Sequence, residues 1–219
     1  MNSLYTFLAG PGLWIAAIVC AGGLVVRLAF LTGLSRGRDA VFYNHASFSW
    51  GARSVLYWLA PYATITYRKN PVFTAFFFGF HVPLILVPVF LSAHNELFSE
   101  AFGFCLPVLP DRAADALTIL LLISAAGLLV RRLLRPEVRA LSSAWDYALL
   151  VLTALPFATG FAAARHLGPY STLMVLHLAS AEALLIIIPF SKLGHVALFF
   201  ATRAFAGFEM GKRRGARAW

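Results

Sequence analysis

Apolar residues run almost unbroken through five stretches of this chain, at about residues 7–34, 71–94, 116–134, 147–165 and 172–203, and polar residues collect between them. Apolar runs of 18 residues or more are long enough to cross the hydrocarbon core of a bilayer as helices. A helix is also the form in which a single segment satisfies its own backbone hydrogen bonds in lipid. The pattern therefore predicts an all-α membrane protein, a bundle of five transmembrane helices with no separate soluble domain. Residues 35–70 are predicted as a polar loop, with an amphipathic stretch at 50–59 lying at the membrane interface. Residues 204–219 are predicted as a basic tail. No internal repeat or low-complexity segment interrupts this plan.

Composition agrees with it. Of the 219 residues, 60% are hydrophobic and 12% charged, against about 45–50% and about 25% in soluble domains. The net charge of +9 would suggest nucleic acid as a partner if it were spread over a soluble surface, but it is sorted by loop. Arg36, Arg38, Arg53, Arg68 and Lys69 lie in the first interval, Arg131, Arg132, Arg135 and Arg139 in the third, and Lys212, Arg213, Arg214 and Arg217 in the tail. The alternate intervals hold only Arg112 and Arg165. Lysine and arginine favour the cytoplasmic side. This predicts a multi-pass protein of a bacterial cytoplasmic membrane, N-terminus outside and C-terminus cytoplasmic, with the tail against anionic lipid. The first run has no basic residue before Arg27 and reads as a span rather than a cleavable signal peptide.

Four histidines then change the picture: His81 and His94 on the second stretch, His177 and His195 on the fifth. The two stretches run in opposite directions, so His81 falls level with His195 towards the inside and His94 level with His177 towards the outside. Each level offers two imidazoles to one metal, and helical bundles house cofactors in this way between facing helices. His177 and His195 are 18 residues apart, which is five helical turns on one face and roughly 27 Å. His81 and His94 are 13 apart, about 140° around a regular helix, so a local distortion is expected at Pro83 and Pro88. With only Cys20 and Cys105 present and no C-x-x-C-H, an iron–sulfur cluster and covalent haem are excluded. Any haem is a histidine-ligated haem b.

At these residues the chain resembles the gamma-subunit family of respiratory nitrate reductase, five-span dihaem cytochromes b. LHLASAEALLIIIPFSKLGH (176–195) is similar to that family's last helix, and FHVPLILVPVFLSAH (80–94) to its second. The 13-residue spacing, YTFLAGPGLW (5–14), LPFATGF (155–161) and the closing Trp219 look more like a sister branch. These are the cytochrome b subunits of tetrahaem-cytochrome–menaquinone transmembrane complexes of sulfate reducers and related hydrogenase-linked subunits. The resemblance implies an inner haem b on His81 and His195, an outer one on His94 and His177, and electron exchange with menaquinone or ubiquinone. It also implies a cytoplasmic iron–sulfur subunit resembling heterodisulfide reductase, and in some members a periplasmic multihaem cytochrome or a hydrogenase.

Other residues carry two readings each. Lys192 and Arg203 pair haem propionates or simply snorkel to the interface, and the same choice applies to Arg27. Glu182, deep in the fifth span, relays protons to quinone or is a hydrogen-bonded core residue. His166 neighbours a quinone pocket, replaces His94 as ligand, or does neither, and His45 is solvated or touches a partner. Two other functions fit the chain: a small membrane transporter whose histidines and Glu182 relay protons or metal, and a haem-free membrane anchor. Without a nucleotide loop or catalytic triad, the chain reads as one subunit of an oxidoreductase rather than a stand-alone enzyme.

Overall fold

A computed structural model describes residues 2–217, which leaves Trp219 outside the described residues. Every regular element among them is helical. Five helices are long and apolar enough to span a membrane: Ser3–Arg38, Pro71–Phe90, Asp111–Leu134, Ala144–Ala164 and Tyr170–Phe190. We label α1 Leu13–Arg38 (reached through Asn2–Phe7 and a π turn, Leu8–Gly12), α2 Phe48–Leu59, α3 Pro71–Phe90, α4 Ser92–Phe102, α5 Asp111–Leu134, α6 Ala144–Ala164, α7 Tyr170–Ile187 and α8 His195–Gly207. The chain separates into two compact units, one built on Val72–Ala181, the other on Thr6–Pro71 and the chain from Glu182 onward.

In the first unit, Phe80, Val87, Leu121, Ala125 and Phe157 form a buried cluster contributed by α3, α5 and α6. Small residues let the helices approach. A Cβ at Gly79 would lie 2.5 Å from the Ser124 hydroxyl, and one at Gly127 would lie 2.6 Å from the Phe76 ring. Close backbone approach of this kind is how helices associate where lipid is as apolar as the side chains. The buried hydroxyls of Thr118, Thr153 and Thr159 are satisfied on the carbonyls four residues back, Ala114, Leu149 and Leu155. Ser143 and Asp146 close a capping box that starts α6. Arg165 at the far end of α6 pairs with Asp115 in the first turns of α5.

In the second unit, α2 packs on α8. A Cβ at Gly51 would meet Ala204 at 3.2 Å, and one at Gly207 would meet the Trp50 carbonyl at 2.5 Å. The amphipathic stretch expected at 50–59 is this helix, α2. It turns Trp50, Gly51, Ser54 and Trp58 to the packing side and leaves Phe48, Leu56 and Leu59 exposed. Beyond α8, Glu209 pairs with Arg213 and Arg214. Burial pushes the Glu209 carboxyl up, but the two guanidiniums outweigh it and hold it below the usual carboxylate range.

Two long spans are not the continuous helices their hydrophobicity suggests. The second ends at Phe90, where Leu91 turns extended (φ −72°, ψ 137°), and α4 begins at Ser92. The expected distortion is therefore present, and it falls just after Pro88. The fifth departs from expectation. In place of one helix over 172–203, α7 gives way to a 3₁₀ turn, Ile188–Phe190, Ser191 becomes extended (φ −126°, ψ −175°), and a second 3₁₀ turn, Lys192–Gly194, leads into α8. Pro189 supplies the cause, because it offers no amide to the preceding turn. The 18 residues from His177 to His195 are thus not five regular turns.

Candidate functional site

In each of the four histidines, Nδ1 is held by a backbone carbonyl. The Nδ1 of His81 donates to the Phe77 carbonyl at 2.8 Å, that of His94 to Pro88 at 2.9 Å, that of His177 to Pro156 at 2.8 Å, and that of His195 to Lys192 at 2.8 Å. A carbonyl can only accept, so Nδ1 carries the proton in every case and Nε2 carries the lone pair. Imidazoles that ligate a metal are typically arranged this way, their orientation set by a hydrogen bond on the other nitrogen.

His94 and His177 come together in the first unit. Their rings are nearly parallel, 15° apart, with centroids separated by 6.1 Å. That distance is of the size two imidazoles span when they share one metal, since two bonds of about 2.0 Å plus the two ring radii come to about 6 Å. A backbone break presents one ring and a glycine makes room for the other. The Leu91 break leaves the Pro88 carbonyl without a helical amide, and His94 uses it. On α6, Gly160 gives the His177 ring its room: a Cβ there would lie 2.8 Å from Nδ1 and 2.9 Å from Cε1. LPFATGF is therefore the seat of His177, with Pro156 as acceptor and Gly160 as clearance.

Asn95, 2% exposed, ties this region down. Its Nδ2 donates to the Val89 and Leu91 carbonyls at 3.3 and 3.2 Å, and its Oδ1 accepts from the Leu106 amide at 2.9 Å. Sequence reading passed over both Asn95 and Gly160. The available signals were a buried-type amide directly after a histidine and a glycine inside an apolar span.

His81, on α3 in the first unit, lies against the Phe77 ring at 4.2 Å and the edge of Phe80 at 5.3 Å. His195 opens α8 in the second unit and is exposed there. The structure places His94, and not His166, beside His177. His166 is exposed just past α6, with φ +53°, and its ring neighbour is Tyr170 at 6.1 Å. His45 is exposed in the first interval. Lys192 is exposed in the second 3₁₀ turn, and the Arg203 guanidinium stands over the Trp58 ring at 3.9 Å. Arg27 is half-buried, and its Nη1 donates to the backbone at the break before His195.

Glu182 is buried, and its Oε1 has no hydrogen-bond partner. The carboxyl abuts Gly12, where a Cβ would lie 2.8 Å from Oε2. Gly12 closes the π turn that contains Pro11, and single π turns in helices are frequent at functional sites. Among the described residues, no three His, Cys, Asp or Glu side chains converge into a site for a bare metal ion. Paired imidazoles are instead the donor set for a metal whose remaining positions a macrocycle fills, so the donors present fit haem.

Fold and site together define an all-helical multi-pass membrane protein with backbone-anchored histidines, two of them paired. Over 216 residues the chain is 41% identical to a Nitratidesulfovibrio vulgaris (strain Hildenborough) protein described only as "Protein", covering 97% of this chain and 96% of that one. The chain belongs to the family of that protein. No protein-family model matches it.

Proposed function

We propose that this protein is a dihaem cytochrome b, the membrane-anchoring subunit of a respiratory oxidoreductase complex in a bacterial cytoplasmic membrane. It would pass electrons between a quinone pool, menaquinone or ubiquinone, and protein redox partners. The observation that carries the reading is the His94–His177 pair: two near-parallel imidazoles 6.1 Å apart, each with Nδ1 fixed on a proline carbonyl. Nothing in helix packing calls for two imidazoles in that arrangement, and ionisable side chains near the bilayer are costly enough to mark function.

The outer haem is assigned to His94 and His177. The inner one is assigned to His81 and His195, on the sequence register and the resemblance. Bound haem supplies one-electron transfer at a potential tuned by its surroundings. The chain's own residues hold each imidazole in a single tautomer. Gly160 keeps the His177 ring clear of α6, and Lys192 and Arg203 would be the cations to pair with anionic propionates. Glu182, a buried carboxyl whose Oε1 has no hydrogen-bond partner, would be the group to carry the proton that quinone chemistry takes up or releases, with His166 as the second candidate. The cytoplasmic partner would be an iron–sulfur subunit resembling heterodisulfide reductase, and a periplasmic multihaem cytochrome or hydrogenase would meet the outer face. The basic loops orient the chain, N-terminus outside.

The test is a reduced-minus-oxidised visible spectrum of the purified protein, with haem-to-protein ratio, on wild type and His177→Ala. The expected result is low-spin b-type bands with about two haems per chain, falling to about one in the variant. Wild-type protein without haem, from cells able to insert it, would sink the cytochrome and leave a transporter or haem-free anchor in its place.

A further inference from the structure

The break in the fifth span leaves backbone carbonyls without helical amides, and an arginine from another helix meets them. Arg27 Nη1 donates to the Pro189 carbonyl at 2.8 Å and to the Ser191 carbonyl at 2.7 Å. The fit is built on both sides. On α1, Gly23 stands one turn before Arg27, and a Cβ there would strike Pro189 at 2.7 Å. On the broken segment, a Cβ at Gly194 would lie 2.5 Å from Arg27 Nη1. Two glycines thus admit, respectively, the bend into α1 and the guanidinium into the bend.

We propose that Arg27 is a positioning residue for His195. Its guanidinium caps the break, and the break aims the imidazole. The chain of contacts is short. Arg27 fixes the Pro189 and Ser191 carbonyls. The Ser191 hydroxyl accepts from the Leu193 amide at 3.1 Å, holding the turn Lys192–Gly194. The Lys192 carbonyl of that turn accepts the His195 Nδ1 proton. A backbone carbonyl left without a donor is costly wherever water is excluded, so without the cap the segment is driven to re-form helix or unravel, and either moves the Lys192 carbonyl away from the ring. The assignment also explains why a cation sits inside the first span. Both carbonyls are served by the two protons of Nη1, and a guanidinium, more weakly hydrated than an ammonium, gives up less water to sit there.

The proposal rests on the cytochrome reading only where it makes His195 a haem ligand, so its test has two readouts. Wild type, Arg27→Met, Arg27→Lys and, as a surface control, Arg36→Met are purified in detergent. Hydrogen–deuterium exchange of residues 188–195 needs no haem. Arg27→Met should speed it by about tenfold or more relative to the rest of α7 and α8, the scale expected when a charge-assisted hydrogen bond is lost from a locally opening segment. Arg27→Lys should fall between, and Arg36→Met should match wild type. In haem-loaded protein, Arg27→Met should shift the spectrum and potential of one haem and leave the other, that of His94 and His177, unchanged. Unchanged exchange across 188–195 in both Arg27 variants would overturn the proposal. So would faster exchange with both haem signals intact, because the cap would then be structural only. If Arg27→Met does not fold, the lysine variant carries the same comparison. Absence of haem in wild type would fail the cytochrome reading alone, and exchange would still decide whether Arg27 caps the break.

Discussion

At the scale of single residues, the imidazoles are governed less by their own chemistry than by the carbonyls and glycines around them. A ring nitrogen that must donate to a carbonyl fixes the tautomer, and a missing Cβ fixes the ring's position. Gly160 is the sharpest instance, because a methyl group there would sit inside hydrogen-bonding distance of the very nitrogen that donates to Pro156. Gly160→Ala should therefore push the His177 ring off its acceptor and away from His94. On the proposed dihaem reading, the expected outcome is a fall from about two haems per chain to about one, since losing the support of a metal-bound histidine costs about 10–100-fold in affinity. Gly168→Ala is the matching control, since the nearest contact of a Cβ there is an ordinary 3.5 Å. A full haem complement in Gly160→Ala would show that His177 does not need this seat.

At the scale of elements, hydrophobicity was a sound guide to where the spans lie and a poor guide to where they stop being helical. Five apolar runs yielded five long helices, because length and apolar content are all that membrane crossing requires. The break after the second span was legible from Pro83 and Pro88. The break in the fifth was not, although Pro189, Ser191 and Gly194 were in plain view. Proline within a span is often tolerated, and the arginine that takes up the carbonyls freed here, Arg27, is 162 residues away from Pro189 in sequence, where no local pattern could point to it. Asn95 stayed hidden for the same reason, its partners being set by chain folding rather than by spacing. It bonds two carbonyls around the Leu91 break and one amide of the following loop, so Asn95→Ala should cost about 1–3 kcal/mol. In a chain of this size that is a fall in Tm of about 5 °C, read by thermal denaturation in detergent. An unchanged Tm would mean that the break holds without its side-chain tie.

For the whole molecule, the orientation of the chain is what would give the two proposed histidine levels their meaning. Five spans would put the termini on opposite sides, and the basic residues are the guide to which is which. Arg131, Arg132, Arg135 and Arg139 gather between α5 and α6, whereas the loop between α4 and α5 carries Cys105 and is free of lysine and arginine up to Arg112. On the proposed orientation, which follows the positive-inside bias, Cys105 would face outward. It is exposed, while Cys20 lies within α1. A membrane-impermeant maleimide should therefore label intact spheroplasts at Cys105, and Cys105→Ser should abolish that labelling. A fluorescent protein fused after the tail should fold and glow in the cytoplasm. Labelling that requires lysis would invert the chain. It would put His94 and His177 on the cytoplasmic side, and the redox partners proposed for each face would have to change places, even though the imidazole pair itself would be untouched.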